Sequence, residues 1–213
     1  MTTQRQGLAN PCDHDAANAR IHRAWPIVSD LVRDRIGLDP RTQARLHVAD
    51  GDDEYFHIWG QHGLDRPNDE IYGGSVACHL RPNLILFNSH RLLRSDRERT
   101  PDQDIEAILA HEFWHLAEYR FGLSGVTAAP AVRNMMQGLP DRWYQVTGII
   151  RDKWPGRSHY TPGLRQRIID HYCYRSHETR ALLFEAALCH DRFPMNEMAA
   201  TLAPIARDIL GWD

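Results

Sequence analysis

The chain has 213 residues, of which 42% are hydrophobic and 25% charged, and its formal net charge is −3. Those fractions match folded globular chains and exclude wholesale disorder, and the length suits one domain with its own core. Lys and Arg are scattered without a basic run, no stretch approaches the ~18 apolar residues of a membrane span, and Met1 to Cys12 lacks the apolar segment of a secretory signal. The expectation is a cytoplasmic protein with neither a nucleic-acid nor a membrane partner. Cys12, Cys78, Cys173 and Cys189 form no Cys-x-x-Cys pair and are read as small hydrophobes without a chemical role.

In chain order, residues 1–90 read as a helix followed by a sheet. Ala16, Ala19, Ile21, Trp25, Val28, Leu31, Val32 and Ile36 recur at helical spacing over Asp13 to Ile36, with Pro26 as a potential kink and Gly37 at the C-cap. Arg45 to Ala49, Tyr55 to Trp59, Ser75 to Leu80 and Leu84 to Phe87 read as four short strands, the last two joined as a hairpin around Arg81-Pro82-Asn83. Over 100–122 the signs of a capped helix accumulate: Thr100 as N-cap, Pro101 at the first helical position, Gln103 completing a capping box and Gly122 at the end. Residues 123–160, punctuated by Pro130, Gly138, Pro140, Pro155 and Gly156, are predicted to be an irregular insertion with room for at most one or two short helices. Residues 161–213 return to helix from Thr161-Pro162, with a break near Ser176 and a last helix over Glu197 to Leu210.

Inside the capped helix stands His111-Glu112-Phe113-Trp114-His115. Two histidines four residues apart lie one turn above the other on a single face, so both imidazoles can converge on one ion while Glu112 reaches its open side. Zinc hydrolysis needs that set: a bound ion acidifies water and polarises a carbonyl, and a neighbouring carboxylate moves the proton. Glu112 is the candidate general base and Zn2+ the expected cofactor. With 13 histidines in the chain, chance alone would produce the pattern in about 3% of such sequences. No cysteine lies in the helix to close a structural zinc site.

A catalytic zinc needs a third protein ligand. The extended pattern ending in a third histidine is absent, because Glu118 and Phe121 occupy its Gly and His positions. Glu118, one turn after His115, is a candidate for orienting a ligand from behind. Downstream, Ser176-His177-Glu178-Thr179-Arg180-Ala181-Leu182-Leu183-Phe184-Glu185 resembles the small gluzincins, including the ImmA/IrrE-type metallopeptidases, in which a Glu-x-x-Ala-x-x-Phe-like run follows the zinc helix. Glu178, Ala181 and Phe184 match that run. The resemblance implies Glu178 as third ligand and a zincin-like α+β fold. In it, a small, mostly antiparallel sheet packs on the active-site helix and the C-terminal half is helical. It further implies an extended peptide substrate lying along an edge strand, here Ser75 to Leu80, with Gly73-Gly74 admitting its backbone. The length of the irregular segment 123–160 makes it a candidate lid over the cleft, with packing on the surface as the alternative. Glu185, His177 and His171 stay open as alternative ligands. Tyr174 and His171 are the first candidates to donate to the oxyanion, with His159 and Tyr160 behind them.

The expected activity is metallopeptidase hydrolysis of a protein or peptide. Two alternatives stay open: a zinc-held regulatory or sensing module, against which the intact Glu112 argues, and a hydrolase of a non-peptide amide.

Overall fold

The computed structural model describes residues 11–64, 77–95, 103–123, 129–154, 161–189, 192 and 196–212. It is an α+β arrangement in which a three-stranded sheet serves a largely helical body. Helix α1 (Pro11–Ile36) runs as the periodicity requires, and Gly37 at φ +71 ends it by donating its N–H to Arg33 O at 2.9 Å. A short α2 (Pro40–Gln43) leads into strand β1 (Arg45–Ala49), then helix α3 (Asp52–Gln61), β2 (Ala77–Leu80) and β3 (Leu84–Asn88). The hairpin of β2 and β3 is where the turn residues put it. Ser75 and the Gly73-Gly74 pair lie outside the described residues.

Two expectations for the sheet fail. Its order is β1-β3-β2, with β1 parallel and β2 antiparallel to β3, so it is mixed rather than mostly antiparallel. The expected strand over Tyr55 to Trp59 is instead part of α3. Aromatic and β-branched side chains there mimic a strand, but Tyr55, Ile58 and Trp59 also fall at i, i+3, i+4, and Asp52, Asp53 and Glu54 supply an acidic first turn. The helix is needed where it is. Ile85 and Phe87 of β3 point into the main core, while Leu84 and Leu86 point to the opposite face, where Tyr55 joins them and Phe56, Ile58 and Trp59 lie alongside. With α3 covering that face, β3 is buried on both sides, which is why it reads as a continuous apolar run.

After α4 (Ser89–Ser95) comes α5 (Gln103–Leu123), the helix that carries His111 and His115. The capping residues Thr100 and Pro101 lie outside the described residues. Ile105, Leu109, Ala110, Phe113, Trp114, Leu116 and Ala117 are all buried, so α5 is apolar nearly all round, as a central helix must be. It packs against α1, β2 and α8 (Ser176–Cys189), and the Trp25 ring of α1 meets Phe113 edge-on at 5.0 Å between centroids.

The largest correction falls on residues 123–160, where α6 (Pro130–Lys153) is one of the longest helices described. Pro130 sits at its start, where a proline costs nothing, but Gly138 and Pro140 lie in the interior and concealed it. Burial of Val132, Met135, Leu139, Val146 and Ile150 on one face outweighs those two weak positions. Helix α7 (Pro162–Tyr174) is N-capped by Thr161, whose hydroxyl accepts from Leu164 N–H. The chain then turns at Arg175 into α8, near the expected break, and α9 (Glu197–Leu210) closes the domain. Gly138 earns its place from α9: a Cβ there would lie 3.1 Å from Ile209 Cγ2. Gly138→Val is accordingly expected to destabilise the fold by about 1–3 kcal/mol through overpacking, read as a lower urea midpoint at unchanged m-value. An unchanged midpoint would show that the two helices have room to separate.

Candidate metal centre

Helix α5 presents His111 and His115 one turn apart, and α8 brings Glu178 to them from 63 residues beyond His115. The ligand atoms form a tight triangle: His111 Nε2 to Glu178 Oε2 is 3.2 Å, His111 Nε2 to His115 Nε2 is 3.3 Å, and His115 Nε2 to Glu178 Oε2 is 3.7 Å. Ligand atoms at ~2.0–2.1 Å around a tetrahedral ion sit about 3.3–3.4 Å from one another, so this donor set fits zinc without rearrangement. Among the described residues it is the one group with the proximity of a metal site. Ala181, one turn after Glu178, is fully buried in the helix that packs on α5, and its small side chain lets the helices approach.

The electrostatics follow from burial and from the crowding of donors around one carboxylate. Burial alone would raise Glu178, but hydrogen bonds from His111, His115, His171 and His177 hold it far below the usual carboxylate range. Burial works against the His111 imidazolium, yet hydrogen bonds with Glu178 and Glu185 outweigh it and raise the group to about 10. Glu112, 7% exposed, is pushed above the usual carboxylate range by burial, opposed by the positive charge of His111 and His115. The main-chain N–H of His79 on β2 also opposes that rise, which sets the base beside the strand. Among the described residues β2 forms an edge of the sheet.

The remaining sequence candidates divide. His171, on α7, is inside the cluster, its Nε2 3.6 Å from Glu178 Oε1. His177, half exposed, is 3.3 Å from the same oxygen, and its ring centroid is 5.8 Å from that of His115. Both therefore face the oxygen of Glu178 that His111 does not use. Tyr174 is not brought to the site. It is 73% exposed, with the Arg151 guanidinium 6.0 Å over its ring, and lines a pocket of about 490 Å³ with Trp143 and Tyr144 of α6. The expectation failed because α7 ends at Tyr174 and the chain turns at Arg175, so Tyr174 does not stand one helical turn below Glu178. Tyr172, two residues earlier, does approach the cluster, its ring centroid 6.1 Å from that of His111. His159 and Tyr160 lie outside the described residues.

Glu118 does not orient a ligand. It accepts from Trp114 Nε1 at 2.7 Å and from Arg180 Nε, clamping α5 to α8 one turn beyond His115. Glu185, an alternative ligand in the sequence, instead faces the Nδ1 edge of His111 at 3.4 Å. The signal for that contact was present, since Glu185 follows Glu178 by two helical turns on one face. Among the described residues no cysteine takes part: Cys173 and Cys189 are buried, and burial pushes the Cys78 thiol up to about 12 while Tyr55 O–H donates to it.

No helix among the described residues is long and apolar enough to cross a membrane. Comparison of the chain with models of known protein families, with curated proteins and with solved structures finds no match.

Proposed function

We propose that the chain is a zinc-dependent hydrolase of peptide bonds, of zincin-like architecture, with His111, His115 and Glu178 as ligands and Glu112 as general base. The observation that carries this reading is the triangle of two imidazole nitrogens and one carboxylate oxygen, beside a buried glutamate from the same helix turn. Three protein ligands would leave one coordination position open to water or substrate, as a catalytic rather than a structural zinc requires. A bound zinc supplies Lewis acidity toward a carbonyl oxygen and lowers the pKa of water. Glu112 accepts the proton of the attacking water and returns it to the leaving amine. Its raised proton affinity suits it to both halves of that transfer. His171 and His177 stand on the Oε1 side of Glu178, where they support the ligand carboxylate, and the exposed Tyr174 has no part in the reaction.

Chelation of the purified chain is expected to abolish hydrolysis, and zinc is expected to restore it at about one ion per chain. Zinc must also compete with a proton. His111 holds one up to about pH 10 in the metal-free chain, whereas Glu178 stays ionised, so loading releases a proton at neutral pH. Zinc affinity is therefore expected to rise with pH by up to about tenfold per unit from about pH 7, flattening toward pH 10. A flat affinity profile over that range, measured by chelator competition, would show that no ligand carries a proton above neutral pH in the metal-free chain.

A further inference from the structure

Glu178 and Glu185 are seven residues apart on α8, about two turns, so their carboxylates leave the same face. They meet opposite edges of one imidazole: Glu178 Oε2 is 3.2 Å from His111 Nε2, and Glu185 Oε2 is 3.4 Å from His111 Nδ1. The His111 and Glu185 side chains are only 11% and 21% exposed, so bulk water competes weakly for that second edge. An imidazole that offers its Nε2 lone pair to a cation carries its proton on Nδ1, and that proton needs an acceptor. We propose that Glu185 is a positioning residue of the metal centre: it accepts from His111 Nδ1–H, fixes the Nε2-ligating tautomer and the ring's orientation, and places a negative charge behind the ligand.

This inference rests on the zinc reading above and adds a residue to it. Glu185 is not a competing ligand in this geometry, because Glu178 and His115 converge on the Nε2 edge and Glu185 stands at the other. One helix thereby supplies both a ligand to the ion and the partner of another ligand, so the placement of α8 against α5 sets ion affinity twice. A partner of this kind is ordinarily worth about 10–100-fold in metal affinity, less than a ligand and far more than an uninvolved surface carboxylate.

The test compares zinc dissociation constants, by competition with a chromophoric chelator, for wild type, Glu185→Leu, Glu185→Gln and His111→Ala, and adds the visible spectra of the cobalt-loaded forms. Glu185→Leu is expected to bind zinc about 10–100-fold more weakly than wild type. Glu185→Gln, whose amide oxygen still accepts from Nδ1–H, is expected to recover part of that loss. Both cobalt forms should keep the intense bands of a four-coordinate site, because the ligand count is unchanged, whereas His111→Ala should lose them. Wild-type affinity in Glu185→Leu would overturn the proposal. So would loss of the cobalt bands as complete as in His111→Ala, which would make Glu185 a ligand. Should Glu185→Leu fail to fold, Glu185→Gln decides, with weaker binding than wild type expected and equal binding contradicting it. A wild-type chain that binds neither metal would bring down the zinc centre itself, a result distinguishable from failure of the Glu185 role alone.

Discussion

Replacing Glu178 by Ala is expected to cost more zinc affinity than the ~10–100-fold typical of a group behind a ligand, and to abolish hydrolysis with it. The carboxylate is the hub of the site, with His111 on one oxygen and His177 on the other, and it is anionic across the whole neutral range. Its removal leaves two imidazoles, too few for a catalytic zinc. His111→Ala and His115→Ala should each have a comparable effect, since each removes one corner of the triangle. Metal content after dialysis against a weak chelator reads the result for all three variants. Full zinc occupancy in Glu178→Ala would place the third ligand elsewhere, on His171 or His177, while leaving the helix motif intact.

Glu112→Gln is expected to separate metal binding from chemistry. The amide has the shape and volume of the carboxylate and no ligand is disturbed, so zinc content and melting temperature should stay close to wild type. The amide cannot take a proton from water, and hydrolysis of an unfolded protein substrate should fall by at least ~10², the lower end of what a positioned general base contributes. The variant has one further expected property. Burial of an ionised carboxylate is unfavourable, so its neutral replacement should not lower stability. Activity within a few-fold of wild type would rule out Glu112 as the base.

The parts of the molecule that announce themselves in the sequence are those with a local physical cause. Gly37 ends α1 because the left-handed cap needs a glycine, and Leu84 to Phe87 read as a strand because both faces of β3 are covered. His111 and His115 could be paired from spacing alone, since the helix periodicity fixes their geometry. What stayed hidden was decided by tertiary contact. Pro140 and Gly138 argue against a helix, and only the burial of Val132, Met135, Leu139, Val146 and Ile150 and the approach of Ile209 explain why α6 forms through them. Tyr55 to Trp59 satisfies both periods, and the need to cover Leu84 and Leu86 settles it as helix. In the site, Glu178 was legible through a motif, but the separation of Glu178 and Glu185 onto opposite edges of His111 depends on how α8 crosses α5. Tyr174 went astray for the same kind of reason, since one turn at Arg175 redirects everything that follows.

The most direct measurement is a cleavage profile: zinc-loaded wild type and zinc-loaded Glu112→Gln are each incubated with a proteome-derived protein mixture, and the new N-termini are sequenced. The expected result is a set of termini that appears with wild type, shares a side-chain preference around the cut, disappears with chelator and is absent with Glu112→Gln. No new termini from the zinc-loaded wild type, or the same termini from both forms, would contradict it.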